Sequence, residues 1–127
     1  MILGIGTDIC QIERIRGSIE KYGAKFLDRC FTATEQERAN GKHDPAKAYA
    51  RLYAAKEALL KALGTGMRDG ISWQDLQISW DDFGAPNAVF GPGATAYLKA
   101  EHVNIRLSMS DDGSYAVAFA IIEKVND

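Results

Sequence analysis

The chain has 127 residues, enough for one domain with its own core and too few for two of ordinary size, so we expect a single domain over residues 1–127. Its formal net charge is −2 and its sequence pI is about 5.7, values that exclude a generally basic nucleic-acid-binding protein. The two cysteines form no CxxC pair, and no apolar run reaches the length of a membrane span, so we expect a cytoplasmic protein that binds neither nucleic acid nor membrane.

The first predicted element is a buried strand over residues 2–9, with the sequence Ile-Leu-Gly-Ile-Gly-Thr-Asp-Ile. Its glycines would let another backbone or a ligand come close. Asp8 lies at the end of this strand. It can cap the following helix, and it can also hold a hard cation such as Mg²⁺, because carboxylate oxygens are ligands of that ion.

An amphipathic helix follows this strand. Its apolar residues recur at helical spacing, at Ile12, Ile15, Ile19 and Tyr22. The opposite stripe is basic and polar and consists of Arg14, Ser18, Lys21 and Lys25. Such a stripe is either a solvated face of mixed charge or a docking surface for an acidic partner.

Two further helices are indicated by their capping residues. Thr32 and Glu35 have the spacing of a capping box, which predicts a short helix that ends near residues 40–41 and gives Glu35 a capping role. A longer helix is predicted from Pro45 to Gly64, because proline is favoured in the first turn of a helix and glycine just past its end.

This long helix carries charges although most of its surface is apolar or small, so it is expected to be covered on several sides. The charged residues in its second half are Lys56, Glu57 and Lys61. An unpaired carboxylate on a covered helix is costly, so Glu57 needs a partner. One interpretation is an i,i+4 ion pair with Lys61. The other is that Glu57 joins Asp8 at a metal ion while the two lysines bind phosphate.

The second half of the chain predicts two β-hairpins with a helix between them. Residues 76–80 and 87–90 form the first hairpin, residues 92–101 the helix, and residues 105–109 and 115–122 the second hairpin. The order predicts an α+β fold, an antiparallel sheet with the long central helix against one face. Small apolar residues in the last strand indicate that the other face is covered too, and a neighbouring subunit is the expected cover.

Three segments resemble the holo-acyl-carrier-protein synthases, the small bacterial type of 4′-phosphopantetheinyl transferase. They are Gly4-Ile-Gly-Thr-Asp-Ile9, Tyr53-Ala-Ala-Lys-Glu-Ala-Leu-Leu-Lys-Ala-Leu-Gly-Thr-Gly66 and Arg106-Leu-Ser-Met-Ser-Asp-Asp-Gly-Ser-Tyr-Ala-Val-Ala118. The pairing of the first two segments is highly specific, and the resemblance covers essentially the whole chain.

The resemblance implies that the phosphopantetheine arm of coenzyme A is transferred to a serine of apo acyl carrier protein, with release of 3′,5′-ADP. It implies that Asp8 and Glu57 hold Mg²⁺ and act with Lys61 as the catalytic residues. The residues expected near the phosphates and the nucleotide are Lys56, Lys61, Gly64, Thr65, Gly66 and Arg106.

The resemblance also implies two kinds of partner. The carrier protein's acidic helix is expected to face Arg14, and we extend that docking surface to Lys21 and Lys25. Family members of this type are trimers with active sites between subunits, so a homotrimer is expected here.

Two positions depart from the family pattern. Asp111 stands where many members have histidine, which excludes a histidine base there. Leu52 stands where many have arginine, and Arg51, one residue earlier, is turned by about 100° on a helix of 3.6 residues per turn.

Two other functions remain open from the residues alone. One is a different Mg²⁺-dependent phosphoryl or nucleotide transferase that uses Asp8 and Glu57. The other is a non-catalytic oligomeric module that binds coenzyme A, in which Glu57 and Lys61 form a structural pair.

Overall fold

The computed structural model describes residues 1–125, which form five strands and five helices in a mixed order. The strands are β1 (Ile2–Gln11), β2 (Leu76–Trp80), β3 (Pro86–Phe90), β4 (Val103–Asp112) and β5 (Tyr115–Lys124). The helices are α1 (Ile12–Tyr22), α2 (Ala24–Cys30), α3 (Ala33–Asn40), α4 (Pro45–Leu63) and α5 (Pro92–Thr95), and a 3₁₀ turn lies at Trp73–Asp75.

The strands form two antiparallel sheets, which confirms the predicted α+β class. β1, β5 and β4 make a three-stranded sheet in that order, and β2 pairs only with β3. β3 lies beside β4 but outside its hydrogen-bond ladder, so the sequence prediction of a single sheet is wrong. Within residues 1–125, no helix combines the length and apolarity that a membrane span requires.

α4 is 19 residues long and packs against β1 and β5. It begins after Asp44 with Pro45 in its first turn, and it ends where Gly64 adopts the left-handed conformation, with φ of 78°. Thirteen of its residues are buried, most of them alanine or leucine. This composition lets the backbone of the sheet come close to the helix.

The closest approach is made by two glycines of β1. A Cβ added at Gly4 would overlap the carbonyl oxygen of Ala62, and one added at Gly6 would overlap that of Ala58. Strand and helix therefore meet backbone to backbone, without a side chain between them.

Gly6→Ala is expected to lower the free energy of unfolding by about 1–3 kcal/mol, because the added methyl group has no space against α4. Gly17→Ala is the matched control. Its Cβ would meet no atom within 4 Å on the surface of α1, and alanine suits a helix better than glycine, so this change should stabilise by roughly 0.5–1 kcal/mol. Denaturant unfolding measures both, and equal stability of the two variants would contradict the packing described here.

β1 was predicted to be buried, and in the structure only the face that packs against α4 is buried. The other face of the three-stranded sheet exposes large apolar side chains in the single protomer, namely Ile5, Ile9, Tyr115, Val117 and Phe119. Residues of the opposite parity on β5 are buried under α4, among them Ala116, Ala118 and Ala120. The sheet therefore has one packed face and one open apolar face.

The helix predicted over residues 92–101 is much shorter in the structure, where α5 ends at Thr95. The amides of Tyr97 and Leu98 donate to carbonyls three residues earlier, those of Ala94 and Thr95. This i→i−3 pattern tightens the chain and ends the helix. The Tyr97 hydroxyl then donates to the carbonyl of Asp69 at 2.9 Å, outside the helix.

Candidate active site

The candidate site lies where the second half of β1 passes α4. Asp8 follows Gly4 and Gly6 on the face of β1 that meets the helix, because alternate residues of a strand share a face. Lys61 Nζ donates to Asp8 Oδ1 at 3.1 Å and to the carbonyl oxygen of Thr7 at 2.9 Å. The Asp8 side chain is 18% exposed, so this carboxylate is largely sheltered but open to a ligand.

Glu57 lies one helical turn before Lys61 on α4, on the same side of the helix. Within residues 1–125 its carboxylate takes part in no hydrogen bond or ion pair, and Lys61 bonds to Asp8 instead. The interpretation of Glu57 and Lys61 as a structural ion pair is therefore wrong for this structure.

The electrostatics of Glu57 reflect this lack of a partner. Burial raises the pKa of its carboxyl group, and the nearby negative charge of Asp8 raises it further. The positive charges of Lys61 and Arg14 lower this pKa, but by less, so the pKa of Glu57 remains above its usual value. The two carboxylates are thus close enough to repel each other, and a bound cation would relieve that repulsion.

The donor atoms around these carboxylates fit a hard cation. Burial raises the pKa of the neighbouring Cys10 thiol, despite the opposing charge of Arg14, so a soft thiolate ligand is disfavoured. The described part of the chain holds no group of three or more His, Cys, Asp or Glu side chains arranged around one point. Two carboxylates suit Mg²⁺, which keeps several waters and takes phosphate oxygens from its substrate.

The glycine segment after α4 continues directly from Lys61. Gly64 and Gly66 both have positive φ, 78° and 61°, which glycine adopts without strain. Between them, the Thr65 hydroxyl donates to the Gly66 carbonyl at 2.8 Å, and Arg68 Nε donates to the Thr65 carbonyl at 2.9 Å. Gly64 and Gly66 are exposed and Thr65 is half-buried, and these residues follow Lys61 by three to five positions.

Lys56 does not lie where the resemblance implied. Its side chain has no solvent exposure, and its Nζ contacts Glu35 Oε1 at 2.7 Å and the Trp73 carbonyl at 3.0 Å. The ammonium group is therefore inside the core and does not face a phosphate site. Glu35 forms the predicted capping box with Thr32, but its buried ion pair was not predicted.

Arg106 also lies apart from Asp8 and Glu57 within the protomer. It is on the open face of β4, where its guanidinium donates to Glu123 Oε1 at 2.9 Å. Asp111 accepts a hydrogen bond from Arg51 at 2.6 Å, so one departing residue contacts the arginine that precedes the other, Leu52.

The predicted docking residues Arg14, Lys21 and Lys25 are all exposed, along α1 and the start of α2. Arg14 is near enough to Glu57 to lower its pKa, so this end of the basic stripe lies beside the candidate site. Its other end borders a groove lined by Ser18, Tyr22, Lys25, Phe26 and Arg29.

Comparison with known proteins identifies the family of this chain. The model of the 4′-phosphopantetheinyl transferase superfamily matches residues 4–120. The chain is 42% identical to a holo-[acyl-carrier-protein] synthase of Agrobacterium fabrum, over 97% of this chain and 96% of that relative.

Two solved structures share the fold over nearly their whole length. The holo-[acyl-carrier-protein] synthase of Neisseria meningitidis superimposes with a TM-score of 0.86 at 37% identity, covering 98% of this chain and 100% of that chain. The synthase of Bacillus anthracis, solved in complex with CoA (3′,5′-ADP), gives a TM-score of 0.81 at 31% identity and covers 98% and 99%. The resemblance seen in the sequence is confirmed, and the chain belongs to the holo-[acyl-carrier-protein] synthases of the 4′-phosphopantetheinyl transferase superfamily.

Proposed function

We propose that this enzyme transfers the phosphopantetheine arm of coenzyme A to a serine of an apo acyl carrier protein, releases 3′,5′-ADP and requires Mg²⁺. The observation that supports this most directly is the grouping of Asp8, Glu57 and Lys61 where β1 crosses α4, with Glu57 free of any partner within residues 1–125. The coenzyme A complex of the Bacillus anthracis relative supports the choice of substrate.

In this proposal Asp8 and Glu57 hold the metal ion. When bound, Mg²⁺ would neutralise negative charge on the pyrophosphate of coenzyme A. Lys61 is already held beside Asp8 by its bond to the Thr7 carbonyl, so its ammonium group is positioned to stabilise the departing phosphate.

The transfer itself needs no nucleophile from this chain. The serine oxygen of the carrier protein forms a bond to the phosphorus of the phosphopantetheine arm. The bond from that phosphorus to the bridging oxygen breaks, and 3′,5′-ADP leaves with that oxygen and the electron pair of the bond. The serine proton is released to solvent. We assign the exposed backbone of Gly64, Thr65 and Gly66 to the nucleotide side of the substrate.

Intact-mass analysis of an apo acyl carrier protein tests this function. The carrier is incubated with the enzyme, coenzyme A and Mg²⁺, beside a matched sample that contains EDTA. A gain of one phosphopantetheine mass that EDTA abolishes is the expected result. If correctly folded carrier proteins gain no mass, the proposed transfer is wrong.

We also propose that acyl carrier protein docks on the exposed basic residues Arg14, Lys21 and Lys25. Arg14→Glu should weaken carrier binding about tenfold or more at low salt while it leaves coenzyme A affinity unchanged, because steering between opposite charges is lost. Lys42→Glu, the same charge reversal on an exposed residue after α3, is the control. Calorimetry with each substrate checks this, and equal loss of affinity for both would contradict it.

We also propose that the enzyme is a homotrimer and that it acts in the cytoplasm. The open apolar face of the three-stranded sheet supports an assembly interface, and Arg106 on that face would then approach a neighbouring subunit. Phe119→Glu is expected to give a monomer, as measured by light scattering during size-exclusion chromatography, because a charge would be buried at the interface. A monomeric wild-type protein would contradict the proposal.

A further inference from the structure

A buried ion pair lies outside the site proposed for catalysis. Glu35 and Lys56 have no solvent exposure and are 2.7 Å apart. The Glu35 carboxylate also accepts hydrogen bonds from the amides of Thr32, at 2.9 Å, and Ile78, at 2.7 Å. Lys56 Nζ donates in addition to the carbonyl of Trp73 at 3.0 Å. The pair thus joins α3, α4, β2 and the 3₁₀ turn.

The Glu35–Lys56 ion pair is linked through the chain to the residues proposed to bind coenzyme A. Lys56 directly precedes Glu57 on α4, and Trp73 closes the segment of residues 64–72 that begins with the glycine turn. The near end of this segment is fixed by α4 itself. Lys56 fixes the far end to the same helix, one residue from Glu57.

A gain in folding stability does not by itself explain why position 56, in the core, is a lysine. Replacement of a buried ion pair by apolar residues of similar volume is often neutral or stabilising, since both charges lose their hydration on burial. What a lysine supplies and an apolar side chain lacks is an ammonium group that bonds Glu35 and the Trp73 carbonyl together. That bond ties the residue that follows the segment of residues 64–72 directly to α4.

We propose that Lys56, supported by Glu35, is a positioning residue that holds the segment of residues 64–72 in the conformation that binds coenzyme A. The inference rests on the proposed function, because that function assigns Gly64, Thr65 and Gly66 to the nucleotide. Lys56 itself touches no substrate. Its effect reaches the site through the backbone of Trp73.

The test uses the double variant Glu35→Gln with Lys56→Met, which leaves no unpaired charge in the core. Glutamine keeps one acceptor oxygen, whereas the amides of Thr32 and Ile78 donate to different oxygens of Glu35. The double variant is therefore expected to melt below the wild type, because one of these bonds is lost, and above Lys56→Met alone. Coenzyme A should bind about tenfold more weakly by calorimetry, and its KM should rise about tenfold with kcat at saturation nearly unchanged.

Two further variants make the test decisive. Tyr49→Phe, on the same helix, removes a buried bond to Asn40 of 2.8 Å without touching the segment, so it should lower stability and leave coenzyme A affinity unchanged. Lys56→Gln can bond Glu35 but is too short to reach Trp73 as well, so it should weaken coenzyme A binding even if the double variant does not fold.

The outcomes separate this inference from the function on which it rests. A folded double variant or Lys56→Gln variant with wild-type affinity for coenzyme A would overturn the positioning role while the transferase function stands. A fall in kcat without a change in affinity would overturn it as well. Failure of the wild-type enzyme to bind coenzyme A would instead reject the proposed function.

Discussion

Glu57→Gln is expected to slow phosphopantetheine transfer by about three orders of magnitude, because an amide would replace one of two carboxylates proposed to hold Mg²⁺. The change keeps the size of the side chain, so the loss would come from charge and not from packing. Single-turnover intact-mass analysis of the carrier protein measures the rate. Glu37→Gln, the same change at an exposed residue of α3, should leave the rate as it is.

The same variant should be at least as stable as the wild type near neutral pH. The folded-state pKa of Glu57 is raised, so protonation of this group favours the folded state. That contribution is fully present below the unfolded-state pKa and is lost as the pH rises through the folded-state pKa. The ionised carboxylate is thus a cost at neutral pH, and the amide of Glu57→Gln removes it.

Added Mg²⁺ provides the corresponding control. It should raise the melting temperature of the wild type by binding the folded state and leave that of Glu57→Gln unchanged. An active Glu57→Gln enzyme, or one that Mg²⁺ still stabilises fully, would contradict the role proposed for Glu57.

Lys56→Met, made alone, is expected to lower the free energy of unfolding by about 3–5 kcal/mol, because Glu35 would remain in the core as a charge without a counter-ion. Burial lowers the pKa of Lys56, while the charge of Glu35 and the hydrogen bond to it act in the opposite direction. Glu35 therefore supports the charged form of Lys56 against the effect of burial. Denaturant unfolding measures the loss.

Comparison with two other variants identifies the cause. Lys42→Met removes an exposed lysine and should change stability by no more than about 0.5 kcal/mol. The double variant of Glu35 and Lys56 described above should regain part of the stability lost in the single variant, because it removes the unpaired charge but also one acceptor oxygen. If the single and double variants are equally unstable, the unpaired charge is not the cause.

Much of the fold could be predicted because its signals are local. The limits of α4 follow from Pro45 and Gly64, and the capping box fixes the start of α3. Alternating side chains identified both hairpins. Alternation does not say which strands of different hairpins pair, so the division into two sheets was missed.

In the candidate site, too, local sequence patterns do not show which distant residues contact each other. Asp8, Glu57 and Lys61 were identified as a group by their resemblance to a family, and the structure places them together. Their pairing was not predictable, because Lys61 bonds Asp8 across 53 positions of sequence instead of its helical neighbour Glu57. The sequence placed Lys56 near phosphate, and nothing local points to its buried partner Glu35, which matched a simple cap.

The contact of Gly4 and Gly6 with α4 has a consequence for how this enzyme can vary. Since backbone atoms meet directly, the spacing between Asp8 and Lys61 depends on a fixed steric limit instead of the volume of interchangeable side chains. A side chain at position 4 or 6 would force the strand away from the helix and change that spacing. The chemistry at the edge of the sheet therefore depends on two residues that have no functional group of their own.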